Sequence, residues 1–141
     1  MNGRPDRIRE ACWYSDRLFS GRHYRAVLAL ATRSIKDDGE SAELRLRRAR
    51  ALLALHRDAE AGADLARAQL LDPRDPTAPL LLCEVALRQK DLAAAERHLI
   101  AALRLDARHP RITELSAVIR GWRMAAARIA AGTPAPVPRA A

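Results

Sequence analysis

Aromatic side chains are scarce in this chain: one Phe, two Tyr and two Trp among 141 residues. Its core must therefore rest on aliphatic residues, here mostly Ala and Leu. Cysteine is nearly absent too. Cys12 and Cys83 form no CxxC and no other metal-like spacing, so neither a zinc module nor a dense disulfide framework is available. Both fall within predicted helices and read as small, buried or half-buried residues. The six glycines are scattered and make no GxGxxG or GxxxxGK[ST] phosphate loop. No GxSxG nucleophile elbow is present. No apolar run is long enough to span a bilayer, and the first residues, MNGRPDRIREACWYSDRLF, contain no apolar signal core. The expectation is a soluble, unexported, cytoplasmic protein without membrane insertion.

What the chain has in quantity is alanine, leucine and arginine. Hydrophobic residues make up 49% and charged residues 30%, a balance of globular rather than disordered chains. Ala, Leu, Arg and Glu are all good helix formers. The length suits one domain with a core of its own. The net charge is +8, carried by 23 Arg and only two Lys. A basic surface attracts acidic proteins, nucleic acid or anionic lipid. A GC-rich coding sequence accounts for the same Arg and Ala excess equally well.

Candidate chemistry is thin. His23, His56, His98 and His109 have no partner His or Cys at ligand spacing. His23 and His56 fall near turns, and His109 precedes a proline, so they read as solvated or capping residues. The carboxylates of Asp16, Glu43, Glu60, Glu84 and Glu96 are dispersed over helices, where solubility and ion pairs explain them. Neither cysteine has an activating base that the sequence nominates. The expectation is therefore no enzyme, no catalytic residue, no metal and no cofactor.

The strongest signal is internal repetition. ARAQLLDPRDP, residues 66–76, returns as IAALRLDARHP at 100–110, thirty-four residues later. At that shift Ala61 falls on Ala95, Leu65 on Leu99, Ala68 on Ala102, Asp72 on Asp106 and Pro76 on Pro110. Within one unit Leu92, Ala95, Leu99 and Ala102 form a single stripe of a helix with 3.6 residues per turn. Asp91 and Asp58 stand before such stripes as expected N-caps. Asp72–Pro73 and His109–Pro110 are expected breakers, because proline disfavours helix in the residue before it. Asp37–Asp38–Gly39 is an expected turn.

A thirty-four-residue period of two short helices resembles the tetratricopeptide repeat. The small residue of the family's first helix is matched by Ser15, Ala49 and Cys83, and the large apolar residue three further on by Leu18, Leu52 and the weaker Ala86. The second helix offers Val27, Ala61 and Ala95, then Ala31 (a poor match), Leu65 and Leu99, then Ser34, Ala68 and Ala102. The closing proline is Pro73 in the second unit and is replaced by Ala107 in the third. The first unit is degenerate and turns through KDDGES instead. One departure lies in AELRLRRARALLAL, where Arg45 and Arg48 occupy places the family fills with bulky apolar residues. Long arginine stems can cover apolar surface while the head reaches water.

The resemblance implies an all-α, right-handed solenoid of three antiparallel helix pairs over 1–131. The repeats would fall near 8–41, 42–75 and 76–109. After them comes a capping helix at 111–131, with Ile112, Leu115, Ile119, Trp122, Ala126 and Ile129 as its apolar stripe. Gly132 ends that helix, and 132–141 is expected to be a Pro-rich disordered tail. The resemblance also implies a concave groove lined by the first helix of each pair. That groove would comprise Arg9, Cys12, Asp16 and Phe19, then Glu43, Leu46, Arg50 and Leu53, then Thr77, Leu80, Glu84, Leu87 and Arg88. Leu46, Leu53, Leu80 and Leu87 would form an apolar ridge in it. For Leu46 and Leu87 burial between repeats is an equal alternative.

Such a lining suits an extended peptide or an amphipathic helix with apolar anchors, acidic ones included. Repeats of this family that grip the acidic C-termini of heat-shock chaperones use a lysine and asparagine clamp. The matching places here hold Cys12, Asp16, Thr77 and Leu81, which cannot grip a carboxylate. The overall plan is similar to that of chaperones of type III secretion substrates, although the basicity argues mildly against that likeness. The first reading is thus a non-catalytic adaptor, scaffold or assembly chaperone for another protein. The alternative is nucleic-acid binding through the arginines, against which stand the dispersed charge of RLRRAR and the few stacking rings. Monomer and homodimer both remain open.

Overall fold

The computed structural model describes residues 3–132 and 136–138. Its elements are α1 (Gly3–Ser20), α2 (Tyr24–Asp38), α3 (Ala42–Ala54), α4 (Asp58–Leu71), α5 (Thr77–Arg88), α6 (Leu92–Leu105) and α7 (Pro110–Ala130). There is no strand among the described residues. Each helix packs on the next one in sequence. In addition α1 touches α3, α3 touches α5 and α5 touches α7, while α2, α4 and α6 do not touch one another. Odd helices therefore crowd together and even helices splay apart. That curvature makes a solenoid, with its concave wall formed by α1, α3, α5 and α7.

The close crossings rest on small side chains. Ser15, Ala49 and Cys83 are fully buried in the middle of α1, α3 and α5, and so are Ala31, Ala61, Ala95 and Ala102 in the even helices. Side chains of only one or two heavy atoms let two backbones approach, which is why a core this poor in rings still closes. Leu44, Leu52 and Leu65 supply the bulk. The core falls into three contiguous clusters along the superhelix, one for each adjacent set of helices.

The period is also written in the backbone. Arg22, His56 and Lys90 are the non-glycine residues with left-handed φ, at 62°, 58° and 59°. Each closes the odd helix of its pair. The following amide donates to a carbonyl five residues back: His23 to Leu18 at 2.8 Å, Arg57 to Leu52 at 2.8 Å and Asp91 to Ala86 at 2.9 Å. This is the hydrogen bond that ends many helices, usually with glycine at the left-handed place. The turns between pairs repeat as well. Asp72 Oδ1 accepts from Arg74 N at 3.3 Å, and Asp106 Oδ1 from Arg108 N at 3.1 Å.

Two expected caps form and one does not. Asp91 accepts from Ala94 N at 3.0 Å. His109 accepts from Arg111 N through Nδ1 at 3.2 Å, with Pro110 at the first helical position. Asp58, expected to cap α4, instead lies inside its first turn, and Arg57 takes the capping place without a side-chain bond. The capping places His23, Arg57 and Asp91 are thirty-four residues apart, so Asp58 falls one residue late, and its carboxylate is held by Arg88 of the next repeat at 2.9 Å. Ser41, which the sequence did not single out, caps α3 by accepting from Leu44 N at 3.2 Å.

The capping helix departs from expectation over its second half. Ile112, Leu115 and Ile119 are buried against α5 and α6, but Trp122, Ala126 and Ile129 are exposed. α7 has 21 residues and its neighbour α5 only 12, so nothing is left for the outer turns to cover. Gly132, at φ 70°, follows its end. Of the expected tail, Pro136–Pro138 are exposed without regular structure, and the rest lies outside the described residues.

Candidate functional site

The concave wall carries two open bays. The N-terminal bay, about 710 Å³, lies between α1 and the start of α3; Arg9, Cys12 and Trp13 face Ser41, Glu43 and Arg47 across it. The C-terminal bay, about 470 Å³, lies over the end of α1, α3 and α5 and reaches the start of α7 at His109 and Arg111. Between them stands an ion pair that reasoning from sequence missed. Arg47 on α3 grips Asp16 on α1 with both arms of its fork, Nε to Oδ1 at 3.0 Å and Nη2 to Oδ2 at 3.1 Å. Just beyond it the Arg50 guanidinium lies 5.0 Å over the Phe19 ring. These two contacts tie α1 to α3 and divide one trough into two.

Eleven of the thirteen residues expected in the groove line these bays. Arg9, Cys12, Asp16 and Glu43 belong to the N-terminal bay. Phe19, Arg50, Leu53, Thr77, Leu80, Glu84 and Arg88 belong to the C-terminal one. Leu46 and Leu87 do not: Leu46 is buried in the cluster of α3, α4 and α5, and Leu87 packs against that of α5, α6 and α7. Leu53 and Leu80 reach the bay only as its floor, at 6% and 4% exposure. The apolar ridge expected from the sequence is therefore a sealed floor. A solenoid this short uses its odd-helix leucines to join repeats before it can spare them for a ligand.

The charges divide unequally. Arg88 donates to Asp58 and to the Leu53 carbonyl, and Arg111 pairs with Glu84 and Glu114. Arg50 is exposed and makes its contact with an aromatic face rather than a carboxylate. A cation over a ring keeps its full charge and is available to an anion. Neither cysteine suits nucleophilic work. Burial raises the Cys12 thiol despite the nearby Arg47, and burial pushes the Cys83 thiol up to about 11. Both are free and buried. No group of His, Cys, Asp or Glu among the described residues is arranged to hold a metal ion. No described helix is long and apolar enough to cross a membrane.

No family model and no curated protein matches the sequence. Solved structures do match. The second tetratricopeptide-repeat domain of human RPAP3, determined in complex with an HSP70 peptide, is 23% identical and superposes with a TM-score of 0.76. The match covers 84% of this chain and 98% of that one. The tetratricopeptide-repeat domain of Arabidopsis OM64 is 20% identical at a TM-score of 0.79, with the same coverage. The Yersinia enterocolitica type III secretion chaperone SycD, in complex with a peptide of the translocator YopD, is 20% identical at 0.71, covering 82% and 88%. A solenoid wound the other way would not superpose over so much of its length. The chain thus has the tetratricopeptide-repeat fold, a right-handed all-α solenoid of three helix pairs closed by α7.

Proposed function

We propose that this chain is a non-catalytic interaction module whose concave trough holds a segment of another protein. The observation that carries the reading is the C-terminal bay. It has an apolar floor of Leu53 and Leu80, an aromatic wall at Phe19 and an exposed cation at Arg50. Apolar anchors give a bound segment its affinity, and a charge at the rim selects and orients it. An acidic residue beside an apolar one is the pairing that this bay fits. The structural neighbours support the reading, since the RPAP3 domain and SycD were both determined with peptides of other proteins. An adaptor, scaffold or assembly-chaperone role and a cytoplasmic setting agree with it.

Nucleic-acid binding is the weaker alternative. Ten arginines pair with carboxylates of the same chain among the described residues, so much of the positive charge is already partnered. The test is a photo-crosslinking amino acid at Thr77, with Arg50→Glu as the trough-defective control. The expected result is one dominant crosslinked protein, lost in the control. Crosslinking that the control leaves unchanged rejects the trough as the binding surface. Leu46→Glu or Leu80→Glu are unsuitable controls, because both leucines are buried and a charge there unfolds the chain.

A further inference from the structure

The outward face of α1 reads almost the same from either end, with its charges reversed. At about 100° per residue, Glu10, Trp13, Tyr14 and Arg17 all lie within about 50° of one direction. Ala11, Cys12 and Ser15, the buried residues of α1, lie on the other side of the helix. The four residues of the stripe are exposed, Trp13 at 54% and Tyr14 at 48%. Their rings meet edge to face with centroids 4.9 Å apart, so they form one patch. Glu10 stands three residues before this pair and Arg17 three residues after it. At the helical rise each charge is about 5 Å from the middle of the patch.

Both charges lack a counterion. α1 takes part in the ion pairs Arg7–Asp38 and Asp16–Arg47, whereas Glu10 and Arg17 take part in none among the described residues. The Arg17 guanidinium lies 4.9 Å over the Trp13 ring, where it keeps its full charge. The aromatic patch thus has an unmatched acid at one end and an unmatched base at the other. A uniformly acidic or uniformly basic partner satisfies one end and is repelled by the other, and the same holds for an anionic bilayer. A second copy of α1 turned end for end matches both ends. Glu10 of each copy is then level with Arg17 of the other, and each ring lies beside its own counterpart. Asp6, the remaining free acid of this face, falls level with Gly21, where no side chain opposes it. Parallel pairing would instead set Glu10 against Glu10 and Arg17 against Arg17.

We propose that the outward face of α1 is a homodimer interface, formed about a two-fold axis that passes between Trp13 and Tyr14. A two-fold interface uses one patch twice, so the patch must complement itself, and this one does. Trp, Tyr and Arg are also the residues in which binding energy concentrates. Trp13 lines the N-terminal bay as well, so the two N-terminal bays of the dimer meet at the paired Trp13 rings. α1 is 18 residues long, and one such helix pair covers less than the roughly 1,200 Å² of a small stable interface. The dimer is accordingly weak, with a Kd in the micromolar range. The proposal goes beyond the trough reading and does not depend on it, since Phe19 of the C-terminal bay points to the opposite side of α1.

The test is sedimentation velocity of the full chain over a range of concentrations, up to about 0.5 mM, a hundredfold or more above a micromolar Kd. The chain is expected to pass from monomer to dimer, and to do so less readily as salt is added. Glu10→Arg and Arg17→Glu, both at exposed places that leave the fold intact, are each expected to weaken self-association at least tenfold. The double variant Glu10→Arg, Arg17→Glu restores the opposite charges and is expected to recover it. Mixing the two single variants gives the sharpest readout. The Glu10→Arg chain carries two bases and the Arg17→Glu chain two acids, so the mixture is expected to dimerise when neither component does. A chain that stays monomeric throughout overturns the proposal. So does a dimer that neither charge reversal weakens, or single variants that fail to pair with each other. A blue shift of Trp13 emission with phosphatidylserine vesicles, read in a Trp122→Phe background while the chain remains monomeric, assigns the patch to a bilayer instead and overturns it as well.

Discussion

Arg48 holds Asp64 in a two-pronged grip, Nε to Oδ2 at 2.7 Å and Nη2 to Oδ1 at 2.6 Å. Asp64 lies within the buried stripe of α4 at 3% exposure, between Ala61 and Leu65. Arg45 donates to the same carboxylate at 2.8 Å and to Glu40 at 2.8 Å, and Arg67 closes the chain on Glu40. Arg48 also reaches Thr32 of the first repeat at 3.3 Å. The two arginines that break the family's apolar pattern therefore share an acid of their own repeat and reach back to the first repeat through Glu40 and Thr32. Such a network is exacting. The Arg45 Nε is buried without a partner, so the arrangement depends on its remaining bonds.

Removing Asp64 leaves the half-buried Arg48 guanidinium without its counterion and Arg45 with Glu40 alone. Asp64→Ala is expected to destabilise the fold by about 2–4 kcal/mol, read as the loss of ΔG in urea melts. The triple variant Asp64→Ala, Arg45→Met, Arg48→Leu is expected to recover most of that loss, since apolar residues of like volume replace a buried ion network well. A triple variant no better than Asp64→Ala would show that these places need charge.

Ala95 is fully buried where α6 crosses α5. Ala95→Leu adds three carbons to a site with no room and is expected to cost roughly 1–3 kcal/mol. The exposed Ala93→Leu, two residues earlier, is the control and should change stability little. Equal thermal melts for the two would contradict the close crossing.

Glycine substituted at a left-handed place relieves strain but adds freedom to the unfolded chain. The first effect is the larger, so His56→Gly and Lys90→Gly are each expected to raise stability by about 0.5 kcal/mol. Ala59→Gly, in a regular turn of α4, should lower it instead. Thermal melts of the three variants decide the matter by sign alone.

Hydrogen bonds from Arg67 hold the Glu40 carboxyl at about 2, down from an ordinary value of 4.5, with Arg45 adding to the effect. A lowered value in the folded state means that the unfolded chain binds this proton more readily. The contribution to stability is therefore complete above about pH 4.5 and is lost as the pH falls towards 2. Glu40→Gln should flatten that part of the profile of urea-derived stability against pH. An unchanged acid limb in the variant would mean that Glu40 is not so held.

The thirty-four-residue period, the rows of small residues and the helix pairs were legible in the sequence, because helix packing at close range depends on side-chain size at fixed spacing. Ser15, Ala49 and Cys83 announce a crossing whatever their neighbours do. The residues expected in the trough came from the likeness to the tetratricopeptide repeat, in which one face of each odd helix points inward, and not from periodicity. The Asp64 network left a trace, an acid within a buried stripe opposite two misplaced arginines, but pairing across 16 and 19 residues of chain is invisible to local periodicity. The depth of each side chain was a matter for the tertiary structure alone. Leu46 shares a helical face with the exposed Glu43 and Arg50, and only the approach of the next repeat seals it. Trp122 and Ile129 continue a regular apolar stripe, yet the body of the protein ends before it reaches them. Periodicity fixes which way a residue points; what stands opposite it is decided by where the other helices begin and end.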